Sequence, residues 1–266
     1  MAESDVLRNI WHRSLVKIIT SCSGIDFRGE DFKALVYEFM PNGSLDRWLH
    51  PVPCEIGGAD DNTSLSVTQR FNKAIDVAAA LDYLPHQCQT PIVHSDLKPS
   101  NVLLDFSVDV SDFGLAKFLV VKASGTQSSA IGIRGTIGYV APGPFFDAKY
   151  GVGGEVSTQG DIYSFGILLL DLFKGKRTAV RMLSGEFGLR DSAERSLPGG
   201  LNQVLDPLFC LGRVQGNLKR RLLSVLRVGL MFSAGQPNER METGESAAEL
   251  RKAQDVLQVR RRGDRV

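Results

Sequence analysis

Asp96, Lys98 and Asn101 stand within six positions of one another in the run His94-Ser95-Asp96-Leu97-Lys98-Pro99-Ser100-Asn101, and Asp112-Phe113-Gly114 follows eleven residues after Asn101. A short loop thus offers a carboxylate, an ammonium and an amide, with a second carboxylate close behind. Phosphoryl transfer needs these groups: a base that orients the attacking hydroxyl, a cation for the transferred phosphate, and oxygen ligands for magnesium. On that chemistry Asp96 takes the hydroxyl proton, Lys98 offsets phosphate charge, and Asn101 with Asp112 holds Mg²⁺. His94, taken singly, reads as a core histidine.

The elements that position this loop are legible as periodicity. Glu3 to Ile10 is a short polar helix candidate, and Leu15 to Ile19 and Ala34 to Phe39 are strand-like runs. Pro41-Asn42-Gly43 marks a turn. Phe71, Ala74, Ile75, Ala78 and Leu81 then recur at helical spacing and form one apolar face. That helix is expected to stop near Leu84, because Pro85 lacks an N–H and disfavours a helical residue before it. A second helix opens at Thr158, whose hydroxyl can cap, carries Asp161 in its first turn and stops at Gly175. It is apolar nearly all round, which predicts a central buried helix. A third runs from Leu218 to Phe232.

Composition removes several classes. The 266 residues carry 31 Lys+Arg against 30 Asp+Glu, a net charge of +1, so bulk charge points to neither nucleic acid nor membrane. Cys22, Cys54, Cys88 and Cys210 have neither C-x-x-C spacing nor paired histidines, which sets aside a zinc site and a disulfide framework and favours a reducing compartment. The longest apolar stretch, Ile162 to Leu170, is far shorter than the roughly 17–25 residues of a membrane helix. Met1 is followed by Ala-Glu-Ser-Asp rather than by a basic and then apolar segment, so a soluble, cytoplasmic chain is expected. The basic tail, Arg251 to Val266, reads as a solvated terminus; Arg260-Arg261-Arg262 has no nucleic-acid reading motif around it.

With these motifs in order, the chain resembles a protein kinase, and more narrowly the cytoplasmic kinase domain of plant leucine-rich-repeat receptor-like serine/threonine kinases. Leu35-Val36-Tyr37-Glu38-Phe39-Met40 is similar to the hinge, Gly135-Thr136-Ile137-Gly138-Tyr139 to the substrate-facing loop, and Asp161-Ile162-Tyr163-Ser164-Phe165-Gly166 to the central helix. The resemblance implies an α+β kinase-like fold: a truncated small-lobe remnant over residues 1–40, a mostly helical large lobe over 41–250, and a tail over 251–266. It implies Mg²⁺-dependent transfer of the ATP γ-phosphate to a protein hydroxyl. Glu38 and Met40 would meet adenine through backbone groups, with Leu103 beneath the ring. Ile18, Leu7, Phe113, His94 and Asp161 match the apolar column and its anchor, Glu3 the helix glutamate, and Arg240 the late buried arginine.

The chain also departs from that pattern. The family places a glycine-rich loop and a strand lysine ahead of the first large helix, and the 266 residues include neither; Lys17 and Lys33 read as surface positions. Glu3 therefore lacks its lysine. Ser95 replaces the arginine that would clamp a phosphate on the activation loop, so modification at Ser124, Thr126, Ser128 or Ser129 loses that partner. Ala141-Pro142 is followed by Gly143 to Lys149 where the family has one glutamate, which leaves Arg240 without its usual ion pair unless Asp147 reaches it, a loss on the order of 3–5 kcal/mol if uncompensated. Two strands and a helix are a marginal small lobe, with apolar surface and a strand edge uncovered over residues 1–40. Three readings follow: a kinase of very low activity, a pseudokinase or interaction scaffold for signalling proteins, and a fragment without a stable fold.

Overall fold

The structure is a computed structural model that describes residues 10–25, 27–51, 64–88, 91–104, 113–115, 135–142, 157–174, 188–197, 205, 216–241, 244 and 248–252. Glu3, Leu7, Asp112, the activation-loop hydroxyls, residues 143–149 and most of the basic tail lie outside them.

Strands β1 (Ile18–Ile25) and β2 (Asp31–Tyr37) form an antiparallel ribbon with an irregularity between Ile18 and Thr20. The ribbon is displaced from the predicted strands: Leu15 and Val16 precede β1 as buried loop residues, and β2 begins three positions early. Apolar runs mark burial, whereas the register is decided by pairing across the ribbon. One face of β2 packs Leu35 and Tyr37 on the core. Elsewhere Trp11 is 77% exposed, Phe27 91% and Phe39 79%, so the uncovered apolar surface expected over this stretch is present. The ribbon is tied to the helical body by Arg13, whose guanidinium lies 3.2 Å from buried Asp76, and by His12 stacked on Tyr83 at 4.8 Å.

After the turn at Gly43, which has φ +68°, come α1 (Leu45–Leu49) and α2 (Val67–His86). Helix α2 begins earlier than its apolar stripe because Ser66 and Gln69 form a reciprocal capping box. It also runs through Pro85 to His86 rather than stopping at Leu84. At that position proline forfeits a single backbone bond, the one to the Leu81 carbonyl, and the turn beyond it is still closed: the Gln87 N–H donates to the Tyr83 carbonyl at 2.9 Å, and the Leu84 carbonyl accepts from the Ile92 N–H at 3.2 Å. A 3₁₀ turn (Pro99–Asn101) then leads into β3 (Val102–Leu104), which pairs antiparallel with β4 (Phe113–Leu115).

Helix α3 (Thr158–Lys174) is buried on nearly every side. Its cap is Ser157, not Thr158: the Ser157 hydroxyl accepts from the Gly160 N–H at 3.1 Å. Helix α4 (Leu189–Ser196) and α5 (Gly216–Phe232) pack against it. Phe71 of α2 meets Phe173 of α3 at 4.9 Å, and Arg70 of α2 donates to the Leu172 carbonyl at 2.6 Å.

Helices α3 and α5 touch through glycine. A Cβ on Gly166 would lie 2.5 Å from the Ser233 nitrogen and 2.7 Å from the Gly229 oxygen, both backbone atoms that no rotamer change can move. Gly166→Ala is therefore expected to lose about 1–3 kcal/mol, lowering the melting temperature by roughly 2–4 °C for each kcal/mol in a domain of this size. Gly24→Ala, where a Cβ meets nothing within 4 Å, is the control. Equal melting temperatures for the two variants would show that the crossing has slack.

Candidate active site

The loop from Pro91 to Lys98 is not held by repeating backbone bonds, so side chains must define it. Asp161, in the first turn of α3, supplies the anchor: its carboxylate accepts from the backbone N–H of His94 at 2.6 Å and of Ser95 at 2.8 Å. Burial pushes this carboxyl up to about 7 from its ordinary 3.8, while the two amides pull it the other way. Ser95 sits at φ +65°, a left-handed conformation rare outside glycine, asparagine and aspartate. That turn brings the Asp96 N–H onto His94 Nδ1 at 3.2 Å, so Nδ1 accepts and the ring proton lies on Nε2. His94 is fully buried. It is the core histidine expected of it singly, and it shapes the loop.

Around Asp96 the residues predicted from spacing converge. Lys98 Nζ lies 3.2 Å from Asp96 Oδ2, and the Asn101 amide donates to the Asp96 carbonyl at 2.7 Å and to Oδ2 at 3.0 Å. Asn101 reaches back because Pro99 starts a 3₁₀ turn whose Asn101 N–H bonds Lys98 O at 3.0 Å. The fourth member is Thr136, which sequence reasoning placed in the substrate-facing loop but not in the site. Its hydroxyl donates to Asp96 Oδ1 at 2.7 Å and accepts from Lys98 Nζ at 2.6 Å. Only its place in Gly135-Thr136 signals it. Burial alone would raise the Asp96 carboxyl, but Thr136, Lys98 and Asn101 together outweigh it and hold the group below the usual carboxylate range.

With the Asn101 nitrogen committed to Asp96, its amide oxygen is the free end, a hard donor suited to Mg²⁺. The proposed second ligand, Asp112, lies outside the described residues, and among those described no group of three or more His, Cys, Asp or Glu could hold a metal ion.

At the hinge, the Glu38 N–H bonds the Lys17 carbonyl at 3.1 Å and the Met40 carbonyl accepts from Gly43 at 3.2 Å. Among the described residues no backbone bond uses the remaining pair, the Glu38 carbonyl and the Met40 N–H. Leu103 is half-buried in β3 and bridges to Ser44 just past the hinge. Ile18 is buried at the head of β1, and Phe113 opens β4 opposite Leu104. Lys17 is exposed, as expected.

Arg240 corrects an expectation. Its guanidinium donates to the carbonyls of Gln159 at 2.7 Å, Ala234 at 2.8 Å and Gly235 at 2.9 Å, and lies 5.2 Å over the Tyr163 ring. Three backbone acceptors and a ring face compensate the buried charge that the sequence pattern left without a glutamate. A second buried network was not foreseen. Tyr139, two residues beyond Ile137 in the substrate-facing loop, donates through its hydroxyl to Asp171 Oδ2 at 2.6 Å, and His50 Nε2 stands 3.4 Å from Asp171 Oδ1.

Lysine, asparagine and threonine thus converge on one carboxylate, the residue types that phosphoryl transfer draws on. The family described as protein tyrosine and serine/threonine kinase matches residues 1–192. The chain belongs to that family. A probable LRR receptor-like serine/threonine-protein kinase of Arabidopsis thaliana is 47% identical over 257 residues, covering 94% of this chain and 25% of that protein. The LRR receptor-like serine/threonine-protein kinase EFR of the same plant is 44% identical over 94% of this chain and 23% of its own length. The receptor kinase-like protein Xa21 of Oryza sativa subsp. japonica is also 44% identical, over 94% of this chain and 24% of its own. The chain thus spans about a quarter of the length of these relatives. No helix among the described residues is long and apolar enough to cross a membrane.

Proposed function

We propose that this chain is the catalytic body of a receptor-like serine/threonine protein kinase, acting on the cytoplasmic side of a membrane-anchored parent. The observation that carries this reading is the convergence of Lys98, Asn101 and Thr136 on the Asp96 carboxylate, each within hydrogen-bond distance of it. Asp96 is ionised at neutral pH and accepts the proton of a substrate serine or threonine hydroxyl. The hydroxyl oxygen forms its bond to the γ-phosphorus as the β,γ-bridging bond breaks and ADP leaves. Lys98, facing both Asp96 and Thr136, offsets charge on the phosphoryl oxygens, while Thr136 fixes the rotamers of both. Glu38 C=O and Met40 N–H accept and donate to adenine above Leu103. Mg²⁺, when bound by Asn101 and Asp112, neutralises phosphate charge. His94 and Asp161 hold the loop.

The glycine-rich loop and strand lysine that cradle phosphates in the family are not among these 266 residues, so the transfer rate of this chain by itself is expected to be very low. A thermal melt with and without saturating Mg·ATP tests the nucleotide site. Ligand at about 100 times its Kd adds roughly 2.7 kcal/mol, which raises the melting temperature by several degrees. The expected result is a cooperative melt that shifts upward, and a smaller shift in Asp112→Asn. A cooperative melt with no shift in either would overturn the nucleotide-binding reading and leave an interaction scaffold for signalling partners. A melt without cooperativity would leave the fragment reading.

A further inference from the structure

We propose that β1 is a self-association edge, by which two copies of this chain pair antiparallel about a two-fold axis at Cys22 and join their ribbons into one four-stranded sheet. Among the described residues β1 is paired on one side only, to β2. An unpaired edge carries a row of free N–H and C=O groups, and proteins ordinarily defend it with lysine, proline or inward charge. β1 reads Ile-Ile-Thr-Ser-Cys-Ser-Gly-Ile over eight residues and has none of these. The opposite edge is different, because β2 carries Asp31 and Lys33. Beyond Ile18, no β1 side chain is buried.

Self-pairing requires a strand that complements itself when reversed. Centred on Cys22, the reversal sets Ile19 against Ile25, Ser21 against Ser23 and Thr20 against Gly24, with no like charges opposed. Ile19 is 56% exposed and Ile25 is 75% exposed. Ile19 falls at the irregularity between Ile18 and Thr20, so the regular self-paired stretch runs from Thr20 to Gly24, whose cross-strand pairs are worth roughly 0.2–1 kcal/mol each. Pairing also converts a two-stranded ribbon, marginal in water, into a sheet of four strands. An edge of eight residues buries little area, at the low end of about 1,200 Å² for transient complexes, so the dimer is weak and concentration-dependent.

The thiol of Cys22 is exposed and unoxidised. At the axis the two Cα atoms would be about 4.5–5.5 Å apart, inside the range a disulfide spans. Sedimentation of the full chain under reducing conditions, over a series rising from low micromolar concentration, should show the mass climbing from 29.1 kDa toward twice that value. Cys22→Ser should still dimerise. Cys22→Lys, which opposes two ammonium groups at the axis, should remain monomeric, and Ser21→Lys gives the same answer if the first variant melts without cooperativity. Diamide, which takes up the two electrons and two protons released as the thiols join, should cross-link the parent chain and not Cys22→Ser. A chain monomeric throughout, a dimer that persists in both lysine variants, or assembly that continues past two copies would overturn the proposal.

Discussion

Replacing Asp96 with asparagine is expected to lower phosphoryl transfer by about 10²- to 10⁴-fold, the contribution typical of a positioned general base. The geometry explains why a near-isosteric change has this effect. Both Asp96 oxygens are acceptors in the structure: Oδ1 takes the Thr136 hydroxyl at 2.7 Å, and Oδ2 faces Asn101 at 3.0 Å and Lys98 at 3.2 Å. An asparagine side chain has one acceptor and one donor end. Whichever way it turns, its NH₂ faces a donor, and it can no longer receive a proton. The nucleotide contacts proposed for Glu38, Met40 and Leu103 are untouched, so the thermal shift with Mg·ATP should persist while the rate collapses. The assay is radiolabelled phosphate incorporation into a generic serine/threonine substrate, followed long enough to measure slow turnover. A variant within threefold of the parent would remove Asp96 from the chemistry.

Asp161→Ala should produce the largest loss of stability among single substitutions near the site. It leaves the buried N–H groups of His94 and Ser95 without acceptors, and each such orphan costs about 1–3 kcal/mol. The loss would show as a lower melting temperature and as faster amide exchange at positions 94–96. Asp161 also predicts a pH dependence. Its carboxyl holds its proton up to about 7 in the folded chain against an ordinary value of 3.8. The stability it contributes is fully present below the lower value and is lost as pH rises through the higher one, because the unfolded chain releases that proton first. Each pH unit in that window is worth up to about 1.4 kcal/mol. Denaturant titrations at pH 5 and pH 7.5 should show the parent losing stability with rising pH more steeply than Asp161→Ala. Equal slopes would place the ionisation of Asp161 elsewhere.

The features legible in the sequence were those carried by local order. Spacing put Asp96, Lys98 and Asn101 on one loop, and the structure gathers them around one carboxylate. Apolar periodicity found the helix bodies, because a helix buries a stripe that repeats along the chain. Ends were less legible. The Ser66–Gln69 capping box was written in the sequence and outranks the stripe in deciding where α2 begins, and Pro85 ends nothing when it falls in the last turn, where it forfeits a single backbone bond. Tertiary structure decided the rest. Thr136 lies 40 positions from Asp96, yet its hydroxyl holds both Asp96 and Lys98. The compensation of Arg240 by the carbonyls of Gln159, Ala234 and Gly235 has no side-chain signature at all, since every residue carries that acceptor. Likewise Asp171 reads as one acidic residue in an apolar helix until the fold brings Tyr139 and His50 to it. Residue type sets which chemistry is available along the chain, and long-range packing sets which of those groups meet, because burial makes every polar atom find a partner wherever the chain can supply one.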